Sequence, residues 1–423
     1  MPLDLSRDLV IRWDQPDAAH VALFKQAGVK AVLPSSANAA FSEACSAAGI
    51  GVLDSSVLQF LELNELANAK PGANVALANG LWPGIGKPPS ARPDDETASA
   101  SAEPWVDSNG YWIGYLRALY LDRPAVLGYL PDKLGDRAVP FDSLELAFIE
   151  AWTAGGNYVA ALEKHYRAAL LRGDPKATAA WGQFARTARW LRENIALFRQ
   201  PALPTVTALV EPGAATAEIA NLLYRRNVSP SLDRAAAPPA PDPERRLALV
   251  AVNLKPPAPE LVKQILDHAV AGTTVIAAAL PSRQWWQGAS GLKPVRSEAD
   301  RDFYTLGKGQ IVAYKKPIAD PSEFALDVID IITHKNRPVR LWNASAVIAL
   351  ATNSPRPGER LVHMINYGSP IDSELQARVQ GHYTKAMLLR PDASPLALKA
   401  AKRGSTTEVF VPALKRLGVL VFS

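Results

Sequence analysis

Cysteine is nearly absent from this chain of 423 residues, since Cys45 is the only one. A single thiol excludes an internal disulfide and a thiolate metal cluster, and the alanine-rich stretch around Cys45 is typical of a helix with a buried free thiol. Histidine is scarce as well, and no two of the six lie at the spacing that places two metal ligands on one helix. The sequence therefore predicts no metal site, and we do not expect thiol redox chemistry.

Long apolar runs are also missing. No run approaches the roughly 18 to 20 residues that a helix needs to cross a bilayer, so we expect a soluble protein without a membrane partner. The first thirty residues are charged and alternate in polarity, unlike a secretory signal. Localisation stays open, because removal of an upstream export signal would leave the same sequence.

Clustered positive charge is absent, although the net charge is +5 and the isoelectric point is about 9.1. Basic pairs such as Arg225 with Arg226 and Arg245 with Arg246 are separated by acidic or apolar stretches, and only residues 399–403 form a local patch. Nucleic-acid binding requires clustered lysine and arginine to neutralise phosphates. We therefore do not expect nucleic acid as a partner.

Glycine-rich phosphate loops are not matched either. The segment 84–88 places Pro88 where a phosphate loop needs serine or threonine to hold a metal ion. The turn at 307–309 lacks the third glycine and the following helix of a dinucleotide-binding loop. The sequence therefore predicts no cofactor.

Proline and tryptophan, by contrast, are abundant, with 35 and 10 residues. Hydrophobic residues make up 48% and charged residues 21% of the chain, which is typical of a folded protein rather than a disordered one. The prolines predict many rigid loops, and the tryptophans provide flat apolar surfaces for a ligand. We therefore expect the function to lie in loops.

The first 202 residues predict a barrel of parallel strands. Short β-type runs alternate there with helical periods, which is the pattern of βαβ units. Eight such runs are found, at 9–13, 30–34, 51–54, 74–78, 98–102, 125–129, 137–140 and 158–162. Eight strands separated by helices favour a (β/α)8 TIM-type barrel, at the low limit of length for that fold, and an open doubly wound sheet is the alternative.

Two smaller parts follow the predicted barrel. Residues 203–338 continue the alternation and predict a small α/β domain, whose last helix begins after Asp320 with proline at its first position. From about Arg340 the helical period is lost, and six short strands are separated by proline, glycine and asparagine. Residues 339–423 therefore predict an antiparallel β-sandwich.

This order of domains resembles the family 42 β-galactosidases and related glycoside-hydrolase-like proteins. The local support comes from the segments 104–112 (PWVDSNGYW), 199–204 (RQPALP) and 306–314 (LGKGQIVAY). The resemblance covers nearly the whole chain. It implies an amidotransferase-like middle domain, a carbohydrate as partner and a homotrimer.

The catalytic motifs of that clan are not matched. Its retaining enzymes carry an Asn-Glu pair after the fourth barrel strand and a glutamate after the seventh, whereas here the fourth predicted strand leads into 79–82 (NGLW) and the seventh into Phe141 and Asp142. No catalytic residue is therefore taken from the resemblance. The middle part also lacks a cysteine or serine nucleophile at a strand-to-helix elbow, so amidotransferase chemistry is not expected.

Carboxylates at the ends of predicted strands are the candidate reacting groups, because barrel active sites lie at the C-terminal ends of the strands. Glycoside hydrolysis needs one protonated and one ionised carboxyl, roughly 5 Å apart for retention and about 6.5 to 9.5 Å apart for inversion. We assign this catalytic pair to Glu103 and Asp132. Asp14, Asp107 and Asn109 are the expected ligands of sugar hydroxyls.

Aromatic residues in the same loops are the candidate sugar platforms, namely Trp13, Trp82 and Trp105. Trp82 is preferred, because its loop is too rich in glycine and proline to be helical. For each single residue there is a structural alternative, in which the acid caps a helix or forms an ion pair and the indole packs in the core.

The sequence thus predicts a glycoside hydrolase-like protein that binds a carbohydrate at the strand ends of its barrel and, if active, hydrolyses a glycosidic bond with two carboxyl groups. The first alternative is a catalytically silent carbohydrate-binding or assembly protein on a degenerate barrel. A second alternative is a lyase or isomerase that uses the same acids.

Overall fold

A computed structural model describes residues 3–36, 38–54, 56–70, 72–85, 106–129, 139–280, 285–286, 292–373 and 375–423. Within these ranges the chain is a mixed α/β protein with one parallel barrel-like sheet, one mixed sheet and two larger antiparallel sheets. None of the described helices is long and apolar enough to cross a membrane.

The N-terminal part of the described chain contains nine strands. They are β1 (Val10–Trp13), β2 (Ala31–Pro34), β3 (Gly51–Val52), β4 (Gln59–Leu61), β5 (Val75–Leu77), β6 (Gly84–Ile85), β7 (Val106–Asp107), β8 (Val126–Gly128) and β9 (Asn157–Ala161). β6 and β7 form a separate antiparallel pair, and the other strands form one parallel sheet.

The strand order of the parallel sheet is β3-β2-β1-β9-β8-β5-β4. Neighbouring strands follow the order of the chain, and the last strand returns to pair with the first, as in a barrel. Among the described residues β3 and β4 do not pair, so the sheet is a barrel with one open seam.

The parallel sheet was thus predicted correctly, but the structure differs from eight strands. Seven parallel strands lie in the described residues, and one of them, Gln59–Leu61, was not predicted. The run 98–102 and residues 137 and 138 lie outside the described residues, and Val139 and Pro140 are not in a strand. A three-residue strand is too short for a period of two residues to reveal it.

Helices cover the outside of this sheet. They are α1 (Val21–Ala27), α2 (Ala39–Ala47), α3 (Gly110–Leu119), α4 (Ser143–Thr153), α5 (Lys164–Leu171) and α6 (Pro175–Glu193), with short 3-10 helices at Ala18–His20, Leu66–Asn68 and Ile195–Phe198. The apolar stripe of α6, including Trp181, Phe184 and Leu191, is buried as its spacing indicates.

The middle part of the chain forms a second layered unit. Its elements are β10 (Val206–Val210), α7 (Ala214–Arg225), β11 (Ser231–Arg234), β12 (Ala248–Ala251), α8 (Pro259–Ala271), β13 (Thr274–Ala278), β14 (Arg296–Ser297), β15 (Arg301–Leu306), β16 (Gly309–Tyr314) and α9 (Pro321–Ile332), followed by a 3-10 helix at His334–Asn336. The sheet order is β11-β10-β12-β13-β16-β15-β14, in which the last two strands are antiparallel. The cap before α9 forms as predicted, since the Asp320 carboxylate accepts from the backbone N–H groups of Ser322 and Glu323.

The terminal part consists of antiparallel strands. They are β17 (Val339–Trp342), β18 (Val347–Asn353), β19 (Arg360–Asn366), β20 (Leu375–Gln380), β21 (Ala386–Arg390), β22 (Ala393–Leu398), β23 (Ala401–Arg403), β24 (Thr406–Val411) and β25 (Leu417–Phe422). The sheets β17-β20-β24-β23 and β18-β19-β25-β21-β22 share one apolar core. The other face of β18 and β19 joins the core of the N-terminal helices through residues such as Ile348 and Ile365.

Candidate functional site

Asp14 lies directly after β1, where the first predicted acid was expected. Its carboxylate contacts the guanidinium of Arg167 at 2.5 Å and lies 3.9 Å from Nε of Arg12. Arg12 in turn lies over the ring of Phe60, 5.8 Å from its centre. Asp14 is therefore an ion-paired group at the strand end, and its contact with a sugar hydroxyl stays a prediction.

Trp13 was predicted as a sugar platform, and the structure contradicts this prediction. Its side chain is fully buried, its Nε1–H donates to the carbonyl of Gln15 at 2.8 Å, and its ring packs edge-on against Phe24. Successive residues of a strand point to opposite faces, so Trp13 faces the helices while Val10 lies in the interior of the barrel. Trp13 has no exposed ring face for a sugar.

Trp82 and Tyr129 form an aromatic pair at neighbouring strand ends. Trp82 follows β5 and Tyr129 follows β8, the two strands pair, and a bridge joins Asn79 to Tyr129. The ring centres lie 4.6 Å apart with the rings tilted by 54°. Trp82 is partly exposed, and Leu81 and Ile85 on either side of it are exposed. This edge therefore presents apolar surface beside an indole ring.

Asn109 is a second correction, because its side chain is fully buried. Its Oδ1 accepts from the backbone N–H of Leu81 at 2.7 Å, and its Nδ2 donates to the Leu81 carbonyl at 3.0 Å. This two-point clamp fixes the backbone of the residue before Trp82. Asn109 therefore supports the Trp82 loop instead of contacting a ligand.

Glu150 lies beneath this clamp and was missed by the sequence analysis. Its Oε1 accepts from the backbone N–H of Asn109 at 2.8 Å and from the Tyr367 hydroxyl at 2.5 Å, and its Oε2 accepts from Nδ2 of Asn109 at 3.0 Å. Burial raises the pKa of Glu150 to about 7, and the hydrogen bonds from Tyr367 and Asn109 oppose that rise. The available signal was an acid between Ile149 and Ala151 in the mostly apolar helix α4, every residue of which is buried.

Tyrosine hydroxyls surround this carboxylate from several parts of the chain. Tyr158 comes from β9, Tyr224 from α7 and Tyr367 from the residue after β19. Burial raises the pKa of each of these hydroxyls, and the nearby Glu150 carboxylate raises it further. Glu150 therefore lies where the barrel helices, the middle part and the terminal sandwich meet.

Asp107 is half-buried on β7, opposite Gly84 of β6. Burial lowers the pKa of Arg225 to about 10, and the Asp107 carboxylate opposes that fall. Asp107 therefore lies close enough to α7 to interact with Arg225. Its assignment as a sugar ligand stays a prediction.

The proposed catalytic pair, Glu103 and Asp132, and the platform residue Trp105 lie outside the described residues, so these assignments stay predictions. Of the other strand-end acids, Glu163 caps α5, with its two oxygens accepting from the backbone N–H groups of His165 and Tyr166. Across the described ranges no three histidine, cysteine, aspartate or glutamate side chains are grouped to hold a metal ion.

Comparison with known proteins gives a likeness of fold. No family model matches the chain, and no curated protein matches its sequence. An α-L-fucosidase isoenzyme 2 from Paenibacillus thiaminolyticus superposes with a TM-score of 0.51 and 8% identity over 99% of both chains. A β-galactosidase from Bacillus circulans sp. alkalophilus gives 0.52 and 8%, covering 74% of this chain and 57% of the enzyme.

The family 42 β-galactosidase Gan42B from G. stearothermophilus gives a TM-score of 0.48 and 11% identity, with 74% of this chain and 56% of the enzyme covered. The chain thus spans little more than half the length of these β-galactosidases. The predicted resemblance to β-galactosidases and other glycoside hydrolases is confirmed at the level of the fold by the two structures with TM-scores above 0.5.

Proposed function

We propose that this protein binds a carbohydrate at the C-terminal ends of β5 and β8, with Trp82 as the platform for a sugar ring. The observation that supports this most directly is the Trp82 and Tyr129 pair, which lies at the strand ends of a barrel-like sheet. Pyranose rings stack their apolar C–H faces on such indoles, and Leu81 and Ile85 extend the apolar surface.

The clamp by Asn109 adds a second argument. A loop that holds a ligand in a defined orientation binds more tightly when its backbone is fixed before binding, because less conformational entropy is lost. The two hydrogen bonds between the Asn109 side chain and the Leu81 backbone supply that order in the residue preceding Trp82.

Hydrolysis is the further step of this proposal, and it is assigned to Glu103 and Asp132 as the acid and the second carboxyl. The silent alternative is favoured by one observation, which is that the described acids at the strand ends already have structural partners. Asp14 pairs with Arg167, and Glu163 caps α5. Within the described residues these two carboxylates therefore have structural roles, one in an ion pair and one as a helix cap.

Binding is tested by titrating the full chain with a panel of oligosaccharides, followed by calorimetry or tryptophan fluorescence. We expect Trp82→Ala to weaken binding of the best ligand about tenfold or more, since one stacking platform is lost. The matched control is Trp342→Ala, because Trp342 is a partly exposed tryptophan on the terminal sandwich. Equal affinities of the parent and Trp82→Ala would rule out the proposed platform.

Hydrolysis is tested separately with chromogenic glycosides. If the parent turns over a substrate, Glu103→Gln and Asp132→Asn should each abolish turnover while glycan binding remains. If the parent binds a glycan but hydrolyses none of the panel, the silent alternative holds.

A further inference from the structure

A continuous series of hydrogen bonds leads from the terminal sandwich to the Trp82 loop. The Tyr367 hydroxyl donates to Glu150, Glu150 accepts twice from Asn109, and Asn109 pairs with both backbone groups of Leu81. Each link is 3.0 Å or shorter. The position of the loop therefore depends on a carboxylate that lies entirely inside the protein.

The chemistry of Glu150 suits this role because all of its hydrogen-bond partners are donors. A carboxylate has two accepting oxygens, and here they receive the Asn109 backbone N–H, the Asn109 amide and the Tyr367 hydroxyl. A glutamine of the same shape has only one accepting oxygen, and its NH2 group would face another donor. Glu150 cannot therefore be replaced by its amide without rearrangement around Asn109.

The location of Glu150 makes each missing partner costly. The side chain is fully buried, so water does not replace a lost hydrogen bond. The partners are Asn109, directly before α3, and Tyr367 of the terminal sandwich. A hypothetical Cβ on the neighbouring Gly110 would meet the Tyr224 hydroxyl of α7 at 2.0 Å. The backbone next to Asn109 is therefore closely packed against α7.

We propose that Glu150 is a positioning residue for the Trp82 loop. Through its hydrogen bond to Glu150, Tyr367 of the terminal sandwich also helps to set the position of Trp82. This inference rests on the proposed function, since it concerns the same loop. It adds that the terminal sandwich contributes to the site, although its residues lie outside the strand ends.

The test follows the indole N–H signal of Trp82 by NMR in the absence of ligand, with the signal assigned through Trp82→Phe. We expect Glu150→Gln and Tyr367→Phe each to shift this signal, because the Asn109 clamp rearranges. The matched control is Glu145→Gln, since Glu145 is a buried carboxyl of the same helix that accepts from Thr187 and Gln183 instead of Asn109. The control should leave the Trp82 signal in place.

Glycan titration is the second measurement. We expect Glu150→Gln to weaken binding of the parent's best oligosaccharide about tenfold, with the Glu145→Gln affinity unchanged. If Glu150→Gln does not fold, Tyr367→Phe alone decides the matter, since it removes a single hydroxyl. A Trp82 signal and an affinity that are both unchanged in folded Tyr367→Phe or Glu150→Gln would overturn the inference.

The two proposals fail in different ways. If the parent binds no glycan, the proposed function fails, and the unliganded Trp82 signal still reports whether Glu150 positions the loop. If the parent binds a glycan through Trp82 but neither variant moves the Trp82 signal or the affinity, the positioning role fails while the proposed function stands.

Discussion

The hydroxyl of Tyr367 donates to Oε1 of Glu150 at 2.5 Å, although 217 residues separate them in the chain. This bond joins the terminal sandwich to the barrel helix α4 inside a fully buried region. A missing hydrogen bond between two buried polar groups costs free energy, because water cannot reach either group to replace the lost partner. The terminal sandwich is thereby tied to the barrel at a defined point.

The first prediction concerns how Glu150 affects stability at different pH. Burial raises the pKa of Glu150 from 4.5 to about 7, so between these values the folded state holds a proton that the unfolded chain has released. The free energy of unfolding should therefore fall as the pH rises through this window, by up to about 3 kcal/mol from this group. Urea unfolding of the parent and Glu150→Gln over this range measures the difference in slope.

The fall of the free energy of unfolding that comes from Glu150 should be absent in Glu150→Gln. The difference in the free energy of unfolding between the variant and the parent should therefore shift in favour of the variant as the pH rises. The control is Glu260→Gln, because Glu260 lies exposed in the first turn of α8. Curves for the parent and Glu150→Gln that remain parallel between pH 4.5 and 7 would contradict the assignment of the proton to Glu150.

The residues around Glu150 show where sequence reasoning stops. Asn109 was singled out as a ligand of sugar hydroxyls, because nothing in the local sequence indicates its partner in α4. The Asn109 and Glu150 contact spans 41 residues, and the Tyr367 contact spans 217. Such pairs are set by how helices pack on the sheet, which no local period encodes.

For the strands, the local pattern was sufficient to predict that a strand forms. It was not sufficient to predict which residues face the interior of the barrel and which face the helices. The parallel run at Val10–Trp13 was predicted from its β-type residues alone. Three of its four residues are buried, so hydrophobicity does not distinguish the interior of the barrel from the helix-facing side. For that reason Trp13 was expected at the ligand surface while it lies in the core.

The second pH prediction concerns His363 on β19. The side chain is fully buried against Phe198, and burial lowers the pKa of His363 from 6.5 to about 4. Between these values the unfolded chain binds a proton that the folded protein does not, so stability should fall as the pH drops through the window, by up to about 3 kcal/mol. His363→Gln should remove this loss of stability at low pH, and urea unfolding of the variant and the parent measures the difference.

His363 and Glu150 act in opposite directions over overlapping pH ranges, so their contributions partly cancel in the parent. Relative to the parent, Glu150→Gln should make the free energy of unfolding rise more steeply with pH, and His363→Gln should make it rise less steeply. His382→Gln serves as the control, since His382 is exposed. If both variants change the slope of the free energy of unfolding against pH in the same direction, one of the two assignments is wrong.

The third prediction concerns the contact between α3 and α7. A Cβ on Gly110 would lie 2.0 Å from the hydroxyl oxygen of Tyr224 and 2.4 Å from its ring carbon Cζ, so Gly110→Ala requires a shift of a buried side chain. We expect a loss of about 1 to 3 kcal/mol in the free energy of unfolding, from overpacking. Gly182→Ala in α6 is the matched change, because its nearest neighbour would be the flexible Arg186 side chain at 3.6 Å.

Gly182→Ala should stabilise the protein by about 1 kcal/mol, since alanine is the better helix former. Thermal or urea unfolding of the two variants therefore gives changes of opposite sign. A Gly110→Ala variant as stable as Gly182→Ala would show that α3 and α7 are not packed as described.

The last prediction compares Tyr115 in α3 with Tyr120, the residue directly after α3. The hydroxyl of Tyr115 donates to the carbonyl of Glu211 at 2.6 Å and accepts from the backbone N–H of Gly213 at 2.8 Å, at the start of α7. The hydroxyl of Tyr120 is also buried, and among the described residues it has no hydrogen-bond partner. Tyr115→Phe removes the acceptor of a backbone N–H, whereas Tyr120→Phe removes a group that lacks such a partner.

We therefore expect Tyr115→Phe to cost about 1 to 3 kcal/mol and Tyr120→Phe to be neutral or slightly stabilising, because the cost of a lost hydrogen bond lies mostly in the partner left unsatisfied. Both variants lose the same atom from the same kind of residue, so the difference in urea midpoint isolates the bonds to the middle part of the chain. Equal losses in the two variants would mean that the Tyr115 hydroxyl does not join α3 to the segment before α7.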